Sequence, residues 1–338
     1  MKTISNLSYP IYIEDKDHKN FQTIFKHHVK QSRAFIVSDE HVWQLFSEQL
    51  NLMFNDIELI DCQIPVGETS KSIEVFKSTI DTLIDKGIKR DDVMIAFGGG
   101  VVGDLVGYIA SSLYRGIDFI QIPTTVIAQV DSSIGSKVGI NLTKGKNLLG
   151  AFKDPLFVYT YIPFLSHLPE REFNNGIAEV IKAGAIFEPT IIEDLLRKPF
   201  DMDVLIKAIQ VKVHIVKQDK FESNLRMILN FGHTLGHAIE KANNFDSIKH
   251  GEAVSLGIRY ALQLGEKMNI TSPKASSKVI EVLNKFHLLN QIIEPMNTYI
   301  PYMKVDKKQR ENGLEFVFIK ELGHAVIKTL KVDDLYVD

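Results

Sequence analysis

Residues 230–237 read Asn-Phe-Gly-His-Thr-Leu-Gly-His, and a third imidazole follows in His250-Gly251-Glu252. The apolar period predicts a helix over 225–243, which sets His233 and His237 one turn apart on one face. Two imidazoles at that spacing can approach one cation, so the stretch is a candidate metal site. A packed helix with two half-buried histidines would give the same pair, and in a chain with 11 histidines a lone HxxxH favours that reading. Three features nearby shift the balance. His250 stands just before the next helical run, 253–268. Gly232, Gly236 and Ala238 leave room for other backbone to come close to the rings. Arg226, on the same predicted helix, would hold a fixed charge beside the metal for a bound anion.

A second constellation is Gly98-Gly99-Gly100-Val101-Val102-Gly103-Asp104, which follows the apolar strand 93–97 and opens a helix. Its GxGxxG spacing lets a pyrophosphate reach free amides at a helix amino end. Alone the motif is weak, because any tight glycine turn in such a sheet looks alike. It also lies outside the first strand–helix unit, which argues against an ordinary dehydrogenase. Asp39, just after the second strand, and Glu68 in Gly67-Glu68-Thr69-Ser70-Lys71 are acidic candidates for ribose hydroxyls. Pro123-Thr124-Thr125 ends another strand and leads into Gln129-Val130-Asp131-Ser132-Ser133-Ile134-Gly135-Ser136-Lys137. Hydroxyls, a carboxylate and an ammonium at a strand's carboxyl end suit a polyhydroxylated, anionic substrate. Lys144-Gly145-Lys146-Asn147 adds donors. Glycine and serine content makes these segments loops, and solvated loops carry such charges without any ligand.

The elements that must position these groups alternate in the first half. Strands are expected at 9–14, 34–38, 57–62, 93–97 and 119–122, and helices at 21–30, 40–50, 72–86 and 101–113. That order implies a mostly parallel α/β sheet with ligands at the carboxyl ends of its strands. Beyond about residue 161 the pattern turns helical, through 178–186, 204–221, 226–243, 253–268 and 276–286. Apolar runs at 314–319 and 325–330 read as a hairpin turned at Leu322-Gly323. Prolines between 154 and 163 break the periodicity, which divides the chain into domains 1–160 and 161–338.

With 338 residues, 45% of them apolar, the chain can bury two cores. A net charge of -3 gives no bulk attraction for nucleic acid or an anionic membrane. The single cysteine, Cys62, excludes an internal disulfide and points to a reducing compartment. Residues 1–15 carry Lys2, Glu14 and Asp15 with no sustained apolar core, so neither a signal peptide nor a membrane span is expected there. A cytoplasmic location is the expectation.

Taken together, Gly98 to Asp104, Pro123 to Lys137 with Gly139-Ile140-Asn141, Gly145 to Phe152, Ala178-Glu179-Val180-Ile181-Lys182, Arg226 through His237, and His250-Gly251-Glu252-Ala253-Val254 are specific in their order. Over essentially its whole length the chain resembles the 3-dehydroquinate synthase family of sugar-phosphate cyclases. The resemblance implies a Rossmann-like amino-terminal domain that binds NAD and a mainly α-helical carboxyl-terminal domain that holds one divalent metal, zinc or cobalt, with the active site between them. It places the metal ligands on Glu179, His233 and His250, in place of a His233–His237 pair, and turns His237 towards the substrate. One carboxylate and two imidazoles leave a metal open positions, as a catalytic site requires.

Carried over the same way, Lys137, Lys182, Lys212, Asn147, Arg226, Asn230 and His237 are substrate contacts, with Asp131 near the metal-bound hydroxyls. Arg115 in Tyr114-Arg115-Gly116 would reach a neighbouring subunit's site, which implies a homodimer. Lys307 or Lys308 would add a late charge for the phosphate. Asp39, Glu68 and Lys71 fall at the adenosine end of the cofactor and Gly99, Gly100, Gly103 and Asp104 at its diphosphate. Thr124, Thr125, Lys137 and Lys146 lie nearby. Ser136 and Val138 stand where the family often has glycine and threonine. The reaction implied is a phosphate-eliminating carbon–oxygen lyase step on 3-deoxy-D-arabino-heptulosonate 7-phosphate. It runs through transient oxidation by NAD, loss of phosphate, re-reduction and an intramolecular aldol closure to 3-dehydroquinate. A related cyclase such as a 2-deoxy-scyllo-inosose synthase, or a metal-dependent polyol dehydrogenase, would share much of this chemistry. Lys212 and Arg226 argue for a substrate that carries a carboxylate.

Overall fold

Strand β3 (Arg33–Asp39) shows how the amino-terminal half is built. Its side chains alternate faces, Ala34 and Ile36 joining one apolar cluster and Phe35 and Val37 another. A sheet with apolar groups on both faces must be covered twice. In the computed structural model, which describes residues 1–243, 247–291, 294–303 and 313–335, helices do this. Lys307 and Lys308 lie outside the described residues.

In chain order the first unit runs β1 (Lys2–Ile4), β2 (Ile11–Glu14), α1 (Phe21–His28), β3, α2 (Glu40–Met53), β4 (Glu58–Ile64), α3 (Ile73–Asp85), β5 (Val93–Gly98), α4 (Gly100–Ser112), β6 (Asp118–Pro123), β7 (Lys137–Leu142), β8 (Gly145–Phe152) and β9 (Val158–Tyr161). Seven strands form one sheet in the order β1-β2-β9-β6-β5-β3-β4, parallel except for the β1–β2 pair. Helices α1 and α2 bury Phe21, Phe25, Phe46 and Leu50 on one face. On the other, α3 and α4 bury Leu83, Leu105, Val106 and Ile109. Strand β3 has β4 on one side and β5 on the other, so the chain reverses its direction of travel there. Ligands of open α/β sheets collect at such a switch point, beyond the strands' carboxyl ends. The glycine turn after β5 is at that point, which accounts for its place outside the first strand–helix unit.

The turn Ile162–His167 still packs Phe164 into the first core, and the chain divides into Met1–Pro169 and Glu170–Asp338. The second unit contains α5 (Glu170–Ile186), α6 (Thr190–Arg197), α7 (Met202–Gln218), α8 (His233–Ala242), α9 (His250–Lys267), α10 (Pro273–Lys285), α11 (Ile300–Met303), β10 (Leu314–Glu321) and β11 (His324–Leu330). The last two form the expected hairpin, with Gly323 at φ 79° in its turn. None of the described helices is long and apolar enough to cross a membrane.

Two expectations need correction. The helix over 225–243 is broken: Leu225–Asn230 is a 3-10 turn, Gly232 takes φ 80°, and α8 begins only at His233. Arg226 is therefore not on the helix of the two histidines. The cause is close approach to α9, since a Cβ on Gly232 would stand 2.6 Å from both Val254 O and Ile258 Cγ1. The second correction concerns Lys137 and residues 145–147, expected as loop, which lie in β7 and β8 of an antiparallel hairpin. Val138 and Ile140 pack into the second cluster, and the glycines serve close strand contact, a Cβ on Gly150 meeting Val138 O at 2.4 Å.

Candidate functional site

Helix α5 carries Glu179 and Lys182 three residues apart on a buried face. Glu179 is 3% exposed, and neither carboxylate oxygen accepts a hydrogen bond of acceptable geometry, although the Lys182 ammonium lies against Oε2. Around Oε1 stand two imidazoles, His250 Nε2 at 3.5 Å and His233 Nε2 at 3.7 Å. One ligand atom from each of Glu179, His233 and His250 falls within 4.8 Å of the other two. A buried carboxylate with no orthodox donor and two imidazoles beside it suits a divalent cation of the zinc or cobalt kind.

Glycines and one ion pair hold these three helices together. His233 and His250 each open their helix, so the site depends on how those amino ends meet. A Cβ on Gly236 would lie 3.1 Å from Val254 Cα, and one on Gly257 would lie 1.9 Å from Gly232 O, so only hydrogen lets α8 meet α9 this closely. Gly251 N donates to Asn175 Oδ1 at 2.5 Å, which brings the start of α9 onto α5. Arg171 grips the buried Glu252 with Nε and Nη2 at 2.7 and 2.8 Å, and Glu252 accepts from Lys249 N at 2.9 Å.

Charge in the cluster follows from burial and neighbours. Burial opposes ionisation of Glu179, but the Lys182 ammonium, then His250 and His233, outweigh it and hold the carboxyl well below its usual range. Burial, with Lys182 adding to it, pushes His233 well below the ordinary imidazole value. His250 goes the other way: burial lowers it, yet Glu179 and Glu240 raise it to about 10.

The expected substrate cations of this unit are buried. Lys212 on α7 is 9% exposed and Arg226 3%. Asp219 accepts from the backbone N–H groups of Ser223, Asn224 and Arg226 at 2.9, 2.8 and 3.0 Å. Those bonds, the one from Ser223 first, lower its pKa to about 2. Arg226 Nη1 donates to Lys220 O at 2.6 Å, so part of its fork is used in fixing itself. Asn230 donates to Glu222 at 3.1 Å. His237 is exposed, its ring 5.3 Å from that of His233, and both border a cavity of about 360 Å³ with Asn230, Lys241, Tyr302 and Glu315.

In the first unit Gly99 caps α4 without a side-chain bond, leaving first-turn amides for an anion. Cβ atoms on Gly100 and Gly103 would meet Ser132 Oγ at 3.0 Å and Gln121 Oε1 at 2.8 Å. Thr124 N donates to Gly98 O, and the Thr124 hydroxyl is buried with no partner, while Thr125 Oγ1 accepts from Ala128 N. Lys71 Nζ donates to Asp104 Oδ2 and to Asn147 Oδ1, both at 2.6 Å. Burial lowers the Lys71 pKa, but Asp104 and Glu68 raise it further. Burial pushes Asp104 up against the pull of Lys71. The short separation decides for the ion pair. Asn147, expected at the substrate, thus joins residues expected at the cofactor. Glu68 accepts from Asn141 Nδ2 at 2.8 Å. Asp39 caps α2, accepting from Val42 N at 2.9 Å.

Asp131 sits in the π-helical turn Ala128–Ser132 after β6, Lys137 is exposed at the start of β7, and Lys146 is half-buried in β8. Arg115 is exposed in the turn Leu113–Arg115 at φ 66°. Ser136 takes φ 63° and donates to Asp154, a left-handed position that suits the family's glycine better. Val138 is accommodated by Gly107, whose Cβ would lie 2.3 Å from Val138 Cγ1. Glu240, Arg171, Asn175 and Asp219 escaped the reading of the sequence, and Glu252 was noted only as part of a motif. For Glu240 a signal existed: with His233 and His237 it makes an i, i+4, i+7 row on one helix face.

The family model described as 3-dehydroquinate synthase N-terminal matches residues 61–175, and that described as 3-dehydroquinate synthase C-terminal matches 176–309. A 3-dehydroquinate synthase of Thermoanaerobacter pseudethanolicus is 39% identical over 97% of this chain and 96% of its own length. A 2-epi-5-epi-valiolone synthase from Streptomyces hygroscopicus, solved with NAD+ and Zn2+ bound, superposes with a TM-score of 0.87 at 25% identity over 99% of this chain and 96% of its own. A 2-deoxy-scyllo-inosose synthase complexed with carbaglucose-6-phosphate, NAD+ and Co2+ has a TM-score of 0.85 at 24% identity over 99% and 97%, and so shares the fold.

Proposed function

We propose a reaction for this chain from one premise: it belongs to the 3-dehydroquinate synthase family. The chain converts 3-deoxy-D-arabino-heptulosonate 7-phosphate into 3-dehydroquinate and inorganic phosphate. The observation that supports this most is the gathering of Glu179, His233 and His250 from three helices, in a chain whose family relatives match it nearly end to end. Those three residues hold one zinc or cobalt ion, and the glycine turn with Thr124, Thr125, Lys71 and Asp104 holds NAD, near Asp39, Glu68 and Lys146. When bound, NAD supplies transient oxidation at C5 with later return of the hydride, and the metal supplies Lewis-acid polarisation of neighbouring hydroxyls.

The chain's own groups bind and orient the substrate. Arg226, held by Asp219 and the Lys220 carbonyl, meets the substrate carboxylate as a rigid fork. Lys212, Asn230 and His237 are further substrate contacts of this unit, and Lys137, Asp131 and Asn147 are substrate contacts of the first unit. Lys307 and Lys308 are assigned no placement. Lys182 balances the charge of Glu179 and donates to the substrate. Donors fixed before the reaction stabilise developing charge without reorganising. Arg115 serves a second copy of the chain in a homodimer, and its unit exposes the apolar side chains Leu142, Leu148 and Phe152, by 42, 60 and 44%. The buried Cys62 suits a cytoplasmic setting.

The test is incubation of the purified chain with the heptulosonate phosphate, NAD and zinc, followed by assay of dehydroquinate. Product formation is the expected result. Turnover of a hexose 6-phosphate lacking the carboxylate, with none of the sugar acid, would assign a related cyclase activity instead.

A further inference from the structure

Each imidazole of the metal cluster has two ring nitrogens, and the fold treats both histidines alike. Nε2 of His233 and Nε2 of His250 point at Glu179 Oε1. The opposite nitrogens meet acceptors: His233 Nδ1 lies 3.2 Å from Phe231 O, and His250 Nδ1 lies 3.3 Å from Glu240 Oε2. With a cation between Nε2 and Glu179, the Nδ1 that faces its own acceptor carries the ring hydrogen and the lone pair is left on Nε2. The two acceptors differ in kind. One is a neutral carbonyl fixed by the Gly232 turn, the other a carboxylate that is 2% exposed on α8. Burying that carboxylate is unfavourable unless a specific partner repays it.

We propose that Glu240 is a positioning residue for the metal centre: it holds His250 with the hydrogen on Nδ1 and Nε2 aimed at the cation, and its charge makes that nitrogen a stronger donor. The inference rests on the metal reading given under Proposed function and deepens it. His237, Glu240 and His250 also offer ligand atoms within 4.8 Å of one another, which raises a second ion as the competing explanation. That ion would need the Nδ1 of His250 while the first held Nε2, so the ring would have to lose both hydrogens. A hydrogen-bonded carboxylate needs no such loss.

The experiment is titration of the metal-free full chain with Co2+, following the visible spectrum, in wild type, Glu240→Gln and Glu240→Leu. Glutamine keeps the shape and removes the charge, while leucine suits the buried position. Expected are one Co2+ per chain in wild type and affinity weaker by about 10-fold in Glu240→Gln and up to about 100-fold in Glu240→Leu, the range for lost outer partners of a ligand histidine. The Co2+ spectrum should shift in both variants. Unchanged affinity and spectrum, with only the urea stability of the metal-free variants reduced, would overturn the proposal and leave Glu240 a packing role. Two Co2+ in wild type falling to one in Glu240→Gln would overturn it in favour of a direct ligand. Absence of Co2+ binding in wild type would instead overturn the metal reading beneath it.

Discussion

Substitution of Gly232 by alanine tests whether the α8–α9 contact builds the metal centre. The residue sits at φ 80°, where a side chain costs roughly 1–2 kcal/mol. Its new Cβ would also stand 2.6 Å from Val254 O and 2.9 Å from Ile258 N. Both are backbone atoms of α9, so no rotamer change relieves the clash and the helices must part. Overpacking of this kind costs about 1–3 kcal/mol, giving a total of roughly 2–5 kcal/mol. Gly87 provides the control, because it has the same φ of 80° with nothing within 4 Å of a Cβ. Gly87→Ala should therefore lose only the roughly 1–2 kcal/mol of backbone strain. His233 follows Gly232 directly, so the displaced helix carries one imidazole away from Glu179. Urea unfolding and Co2+ titration of both variants give the readout. Gly232→Ala should be the less stable by about 1–3 kcal/mol and alone should bind Co2+ more weakly. Equal stability losses with unaltered Co2+ affinity would refute the reasoning.

His250→Ala should abolish metal retention, whereas His237→Ala should keep the metal and lose turnover; equal metal content in both, measured by atomic absorption, would contradict the ligand assignment. Asp219 has a depressed pKa of about 2 against an ordinary 3.8, so its stabilisation is present above the ordinary value and fades as pH falls towards 2. Asp219→Asn should flatten acid unfolding in that window and, by loosening the Arg226 backbone, raise KM for the sugar acid; an unchanged acid profile and KM would count against it.

Much of the first unit was legible because its sheet is covered on both faces, so buried runs such as Phe35 to Val37 and Met94 to Phe97 stand out between amphipathic helices. The β7–β8 hairpin was not, since Gly139 and Gly150 face each other's strand backbone and resemble loop composition. Helical spacing correctly set His233 and His237 a turn apart, but it cannot report which other helix approaches. Glu179 stands 54 residues before His233, and only resemblance to a family joined them in advance. The physical cue lay in Gly232, Gly236 and Gly257, whose missing side chains allow the contact. Glu240 and Arg171 carry no motif, and their partners, His250 and Glu252, become visible only when α9 is packed.

The central claim is that this chain uses NAD and a metal held by Glu179, His233 and His250 to eliminate phosphate without net oxidation. Phosphate release from the heptulosonate phosphate, measured with NAD well below the substrate concentration while absorbance of NADH is followed, tests it most directly. Many phosphates released per NAD, with no accumulation of NADH and dependence on the added metal, is the predicted result. Release that halts at one phosphate per NAD with matching NADH would contradict it.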